Sequence, residues 1–146
     1  MTTSGSAINI AVPSWANKIT ISAYEVSLSG SSDLLIRVGK TTPQTTGYLS
    51  TSTVTLTTGG ASTGTSISSG WSVYTASAGG VVSGRITIEK LSDTQYVSDH
   101  SMKRSTTSTI NGGGSALTAN AIDILRITNT GSDTFDSGAI KVTFES

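Results

Sequence analysis

The first regular pattern along the chain is an alternation of apolar and polar residues that begins at Lys18 and continues to Leu28. Such an alternation predicts a β-strand with one buried and one solvated face. The apolar set changes phase part-way along the strand, from Ile19, Ile21 and Ala23 to Tyr24, Val26 and Leu28. Because a shift of one residue moves side chains to the opposite face, we predict a β-bulge near Ala23–Glu25.

A second strand follows after a short polar turn. The turn spans residues 29–32, and the apolar positions after it are Leu34, Ile36 and Val38. The stretch Val12–Gly39 is therefore predicted to be a β-hairpin. Pro13 suits the edge or start of a strand because it has no backbone N–H, and Trp15 just behind it is predicted to be a large apolar anchor.

The rest of the chain predicts further strands separated by loops rich in Ser, Thr and Gly. The clearest pair is Val82–Leu91 with Gln95–Met102, which a turn signal joins into a second predicted hairpin. The other predicted strands are residues 7–12, 48–57, 71–75, 122–128 and 139–145. The predicted loops are residues 58–66, the flexible breaker Asn111–Ser115, and residues 129–138, which Phe135 is expected to pin.

These elements predict an all-β protein with about eight strands and no convincing helix. Consecutive hairpins with turn signals at this spacing favour an antiparallel β-sandwich, jelly-roll-like in arrangement. A chain of 146 residues is long enough to bury one such core. We therefore predict a flexible N-terminal tail over residues 1–6 and a single β-sandwich domain over residues 7–146.

Composition and charge narrow the classes of function. Nine basic and nine acidic residues give a formal net charge of zero, so a basic face for nucleic acid is not expected, and the pair Lys103-Arg104 is interpreted as a solvated strand end. The absence of cysteine excludes disulfides, thiolate metal sites and a cysteine nucleophile. With neither a signal peptide nor an apolar stretch of membrane-spanning length, we expect synthesis in a cytoplasm and no membrane partner.

Catalytic chemistry has one superficial candidate, the run Ser98-Asp99-His100-Ser101, which holds every residue type of a hydrolase triad. Neighbouring residues on a strand point to opposite faces, so Asp99 and Ser101 should turn away from the imidazole. Ser98 shares the face of His100, but no nucleophile-elbow motif is present. The better interpretation is a partly buried strand histidine beside Tyr96 and Met102, and we expect no enzyme activity.

The sequence signals for metal and cofactor sites are equally weak. His100 is the only histidine, so a histidine cluster is excluded, and the nine scattered carboxylates show no spacing that favours a glycosidase pair. Asn129, Asp133 and Asp136 could offer oxygens to calcium within one loop, although such loops more often form Asx turns. Gly112–Gly114 lack the following Lys-Ser/Thr of a phosphate-binding loop. We expect no bound metal or cofactor.

Four aromatic residues could serve as sugar-stacking platforms: Trp15, Trp71, Tyr48 and Tyr74. In a chain that is only 5% aromatic, we interpret them instead as core or subunit-interface anchors.

Three segments taken in order resemble a family of structural proteins from tailed bacteriophages, which occur as small virion proteins and as modules of tail fibres. The segments are Val12–Ile21 with its following strands, Ser83–Leu91 leading into Thr94–Val97, and Ile124–Ile140, the most specific of the three. Together they extend the resemblance over nearly the whole chain, residues 8–145.

The resemblance implies a non-enzymatic virion component assembled as a homotrimer in the cytoplasm of a bacterial host, with no functional residues to transfer. The chain shows no fibre shaft or coiled coil, which favours a capsid decoration, or cement, protein that binds the major capsid protein or other virion proteins. The alternative is a tail-fibre or receptor-binding domain that recognises host-surface glycan through its Ser/Thr/Gly-rich loops and an exposed aromatic residue.

Overall fold

The computed structural model describes residues 1, 4–60, 62–75, 80–104 and 107–146, and it consists of two antiparallel β-sheets. The predicted antiparallel β-sandwich is therefore confirmed. The described part of the chain has twelve strands rather than about eight. They are β1 (Ile8–Ala11), β2 (Lys18–Leu28), β3 (Leu34–Lys40), β4 (Thr42–Pro43), β5 (Tyr48–Leu56), β6 (Thr63–Ile67), β7 (Trp71–Val73), β8 (Val82–Lys90), β9 (Gln95–Arg104), β10 (Ser108–Leu117), β11 (Ile124–Asn129) and β12 (Phe135–Glu145).

The larger sheet contains the strands that carry most of the exposed surface discussed below. Its strand order is β12-β2-β8-β9-β10-β5-β6. The predicted hairpin of β8 and β9 is confirmed, with Val82 opposite Arg104 at one end and Lys90 opposite Tyr96 at the other. The predicted loop 58–66 is wrong from residue 63 onward, where the edge strand β6 begins. β6 pairs with β5 through main-chain hydrogen bonds, which need no run of apolar side chains.

The smaller sheet has the order β1-β11-β3, and the short strands β7 and β4 both pair with the far edge of β3. The apolar core lies between the two sheets. Within it, Trp71 and Tyr48 meet edge to face, with ring centroids 5.2 Å apart and an interplanar angle of 82°. The Tyr48 hydroxyl donates to the carbonyl of Val38 at 3.0 Å and so ties β5 to β3 of the other sheet.

The predicted hairpin over Val12–Gly39 is wrong. β2 pairs with β12 and β8 in the larger sheet, whereas β3 pairs with β11, β7 and β4 in the smaller sheet. The chain therefore crosses between the sheets at residues 29–33 instead of turning back beside itself. Leu34, Leu35 and Ile36 of β3 are all buried in succession, so this strand is covered on both faces, but the apolar run does not specify the strands with which it pairs.

The predicted β-bulge in β2 is confirmed. The pairing of β2 with β8 jumps from Ala23 to Val26, and Glu25 between them has a φ of 48°. Tyr24 lies before the extra residue and keeps the outward phase of Thr20 and Ser22, so 68% of it is exposed, and the bulge then brings Val26 back to the buried face. Tyr24 is therefore not part of the buried set to which the alternation assigned it.

The prediction that the glycine run at residues 112–114 is a flexible breaker is wrong. These glycines belong to the central strand β10. That strand pairs along its length with β9 on one side and with β5 on the other. Gly112 packs against the His100 ring, where an added Cβ would lie 2.5 Å from Cε1, and a Cβ on Gly114 would collide with the Leu49 carbonyl. The glycines are needed because neighbouring groups approach the strand too closely for any side chain.

Residues near the N-terminus contact β12, the edge strand of the larger sheet. The Met1 ammonium group donates to the Ile140 carbonyl at 2.7 Å, and the Gly5 carbonyl accepts from the Phe135 amide at 2.8 Å. Flexibility of residues 1–6 stays a prediction. Phe135 is buried, as expected, although it begins β12 rather than pinning a loop that extends to residue 138.

Candidate functional site

The outward side of the larger sheet, which faces away from the smaller sheet, carries the two most distinctive surface features of the described residues. It is mainly polar, since Thr, Ser and charged residues occupy most of the outward positions of its strands. One feature is a cluster of exposed leucines, and the other is a groove beside the β2 bulge.

The leucine patch consists of Leu49, Leu91, Val97 and Leu117. Leu49 lies opposite Ser115, and Ser115 lies opposite Val97, so β5, β10 and β9 bring one row of side chains to this surface. The four residues line a shallow groove with a volume of about 290 Å³. The exposed fractions of Leu49, Leu91 and Leu117 are 73%, 65% and 63%. Single exposed leucines are common, but a cluster is typical of an interaction surface.

The bulge groove lies toward the other end of β9, the strand that it shares with the leucine patch. It is an open groove of about 650 Å³ whose lining includes Tyr24 and Glu25 from β2, Ser83 from β8 and Lys103 from β9. Residues 137–139 of the neighbouring strand β12 also line it. From Val97 to Lys103 along β9 is six residues, so the leucine patch and the bulge groove are separated by about 20 Å.

Hydrogen bonds fix the backbone at the bulge. The Glu25 amide donates to Ser83 Oγ at 2.9 Å, and Ser137 Oγ donates to the Glu25 carbonyl at 3.2 Å. Gly138, with a φ of 97°, fits closely against this backbone, because a Cβ there would lie 2.5 Å from the Val26 Cα. A positive φ at Glu25 is a conformation that L-residues rarely adopt, and such strain often accompanies function.

The residues that resemble a hydrolase triad do not form one. Ser98 and His100 share the buried face of β9, as predicted, while Asp99 and Ser101 are exposed on the other face. The imidazole is only 4% exposed, and its Nε2 is 2.9 Å from Ser52 Oγ. Burial lowers the pKa of His100 to about 4, so the ring is neutral at physiological pH.

His100 belongs to a small polar layer inside the sandwich. Among the described residues, the buried side-chain atoms that lack a hydrogen-bond partner are His100 Nδ1, Ser98 Oγ, Ser72 Oγ and Trp71 Nε1. Ser50 and Ser52 on β5 instead accept hydrogen bonds from the backbone amides of Ser72 and Tyr74, at 3.0 and 2.9 Å. The layer thus joins the two sheets, and it is too deeply buried to meet a substrate.

The three residues considered for calcium all take part in hydrogen bonds within the protein. Asn129 Oδ1 accepts from the Gly131 amide at 3.0 Å in an Asx-type turn, and Asp133 Oδ2 accepts from the Ser32 amide at 2.9 Å. Asp136 accepts from the Ser27 hydroxyl. Hydrogen bonds from Ser32 lower the pKa of Asp133. Within the described ranges, no group of three or more His, Asp or Glu residues could hold a metal ion.

The aromatic residues divide between core and surface. Trp71 and Tyr48 are buried, in agreement with their interpretation as core anchors, and Tyr74 packs partly buried against the core. Trp15 is 56% exposed, so its prediction as a core anchor is wrong: β2 begins only at Lys18, and the turn before it leaves the indole outside the sandwich. Its role as a subunit-interface anchor stays a prediction. Tyr24 is an exposed aromatic residue that was missed in the sequence, although the polar residues Thr20 and Ser22 before it share its phase and signalled an outward face.

The two basic residues at the end of β9, Lys103 and Arg104, differ in their exposure. Lys103 is exposed, as expected of a solvated strand end, and it lines the bulge groove. Arg104 is partly buried, donating from Nη1 to the Thr75 carbonyl at 2.8 Å and from Nε to Ser108 Oγ at 3.2 Å. The pair is therefore not a two-residue patch for phosphate. Across the described residues, no helix is long and apolar enough to span a membrane.

No protein-family model, no curated protein and no solved structure matches this chain.

Proposed function

We propose that this protein is a non-enzymatic structural component of a tailed-bacteriophage virion, and specifically a capsid decoration, or cement, protein that stabilises the head shell. Two observations support the proposal. The three chain segments that resemble phage structural proteins fall largely on the strands of an antiparallel sandwich, and the outer surface carries a defined apolar cluster. The proposed partner is the major capsid protein or another virion protein.

The leucine patch is the observation on which the proposal depends. Three leucines that are each about two-thirds exposed lie on one groove at the end of the larger sheet. Covering them would contribute roughly 3–6 kcal/mol, taking 1–2 kcal/mol for each partly exposed leucine, before the cost of association is subtracted. That free energy is modest for one contact, but it is repeated at every lattice position of a shell.

The mechanism of stabilisation is mass action. A protein that binds the assembled lattice and not its separated subunits shifts the equilibrium toward the lattice. Assembly as a homotrimer would present three leucine patches at once, so the second and third contacts would form at a high effective concentration. The absence of net charge fits a protein surface better than nucleic acid as the partner.

The proposal is tested by cryo-electron microscopy of the phage particle that encodes the chain. We expect density at regular lattice positions over the head, in many copies, with the leucine patch against the shell. Density confined to the tail, absence from the particle, or a leucine patch that faces solvent would overturn it.

A binding assay with matched variants tests the role of the patch. The assay measures co-sedimentation of the protein with phage particles that lack it. In the triple variant Leu49→Thr/Leu91→Thr/Leu117→Thr, we expect the affinity for these particles to fall by at least about a hundredfold. The control is Trp15→Thr, which removes another exposed apolar residue that does not line the patch. Equal loss in both variants would contradict a specific role for the leucines.

The second candidate function is a tail-fibre or receptor-binding domain that recognises host-surface glycan. The exposed Tyr24 in the bulge groove is the observation that favours it. Density on the tail in the same microscopy experiment would support this function over decoration.

A further inference from the structure

The structure assigns a carbohydrate-binding site to the bulge groove, and we infer that its ligand is a short uncharged oligosaccharide of two or three sugar units. The inference concerns the site itself and holds for a head or a tail protein alike. It rests on the aromatic residue, the polar groups, the fixed backbone and the size of the groove.

Tyr24 supplies the stacking surface. It shares the outward face of β2 with Thr20 and Ser22, and it is 68% exposed in the lining of the groove although aromatic residues generally favour burial. The flat C–H face of a pyranose ring is apolar while its rim carries hydroxyl groups, so an exposed aromatic ring beside polar side chains matches both parts of the sugar.

The polar side chains of the groove match the rim. Glu25 can accept hydrogen bonds from sugar hydroxyls, Lys103 can donate to their oxygens, and Ser83 carries a hydroxyl that can do both. One carboxylate and one ammonium group balance each other, so the groove has no excess charge that would select an anionic ligand. This balance is why the inferred ligand is uncharged.

The backbone of the site is preorganised. Ser83 accepts the Glu25 amide and Ser137 donates to the Glu25 carbonyl, so both polar groups of the strained residue are held. Gly138 fits against the same backbone, where any larger residue would collide. A site that is rigid before binding loses less conformational entropy when the ligand arrives.

The volume of the groove sets the size of the ligand. At about 650 Å³ it falls in the middle of the range of roughly 300–1,000 Å³ that is typical of small-molecule sites. Because the groove is open along one side, a chain of two or three sugars can lie across it with its ends in solvent. A single monosaccharide would leave much of the groove unfilled.

The test is an NMR titration of the ¹⁵N-labelled protein with three probes: maltotriose, cellotriose and triacetylchitotriose. We expect saturable shifts of the backbone amides around Tyr24, Ser83 and Lys103 with at least one probe, at a dissociation constant on the order of 1 mM or below. Raising the NaCl concentration should leave the affinity unchanged, because no net charge is involved.

Matched variants make the assignment specific. Tyr24→Ala should weaken binding by about tenfold or more, whereas Tyr24→Phe, which keeps the ring, should stay within about threefold of the original affinity. Trp15→Ala removes an exposed aromatic residue outside the groove and should change nothing. Retained amide dispersion in each spectrum shows that the variant is folded.

Three outcomes would overturn the inference: no saturable shift with any of the three probes, shifts that map away from the bulge groove, or binding that Tyr24→Ala leaves intact. The titration uses the isolated protein, so its failure would remove the carbohydrate site without affecting the proposed place of the protein on the virion.

Discussion

Acidification should destabilise this protein through one buried residue, His100. The imidazole is neutral in the folded state because burial lowers its pKa from the ordinary 6.5 to about 4. In the unfolded chain the same ring takes up a proton near pH 6.5. The unfolded state therefore binds more protons between these two values, and the free energy of unfolding must fall as the pH falls. The contribution of neutral His100 to the free energy of unfolding is fully present above pH 6.5 and is lost progressively toward pH 4.

The magnitude follows from the size of the shift. A change of one pKa unit corresponds to about 1.4 kcal/mol, so a shift from 6.5 to about 4 corresponds to about 3 kcal/mol in total. Between pH 7.5 and pH 4.5 we expect a loss of about 2–3 kcal/mol from His100. This window is suitable because His100 is the only histidine and the carboxylates with lowered pKa, Asp123 and Asp133, titrate below it.

The assay is urea unfolding at a series of pH values, followed by tryptophan fluorescence, since Trp71 is buried in the core and reports its opening. The matched control is His100→Gln, which keeps a polar side chain toward Ser52 but cannot titrate. Its stability at pH 7.5 is expected to be lower, but the dependence on pH in this window should be nearly flat. A flat profile in the unsubstituted protein, or an equal slope in His100→Gln, would refute the reasoning.

Three further predictions concern stability and are each checked by urea unfolding at pH 7.5. Ile110→Ala should cost about 2–5 kcal/mol because the side chain is fully buried, whereas Leu49→Ala, on the exposed patch, should change stability by less than about 0.5 kcal/mol; similar losses would contradict the assigned burial. Gly114→Ala should cost about 1–3 kcal/mol or prevent folding because of the Leu49 carbonyl, while the control Gly60→Ala, which meets only the end of a leucine side chain at 3.3 Å, should be well tolerated. Ser52→Ala should cost about 1–3 kcal/mol, since it removes the partner of His100 Nε2 and the acceptor of the Tyr74 amide; an unchanged midpoint would argue against the polar layer.

The two surface features have a geometric consequence when they are taken together. Both lie on the outward side of the larger sheet, separated by about 20 Å along its strands. A copy held at its leucine patch would therefore present the bulge groove toward the far end of β9 and on the strands β2, β8 and β12. In the proposed virion protein, attachment and carbohydrate binding would use different ends of one rigid sheet and would not compete.

The alternation of apolar and polar residues by itself determined much of the fold. It predicted the bulge at Ala23–Glu25, the hairpin of β8 and β9, and the shared buried face of Ser98 and His100, because these features depend on the period of a strand or on chain neighbours. The sandwich class followed from the number and spacing of such strands.

Only the tertiary structure decided which strands became neighbours and which residues stayed outside. The sequence around Leu34–Ile36 does not indicate that the chain crosses to the other sheet before this strand. The glycines of β10 show no apolar pattern, because they are needed where neighbouring groups approach the strand closely. Trp15 is exposed because it lies in the turn before β2, and Tyr24 because the bulge that restores the buried phase comes only after it. The leucine patch likewise depends on three strands and a turn that meet only in the folded sheet, because strand pairing brings together residues that are far apart along the chain.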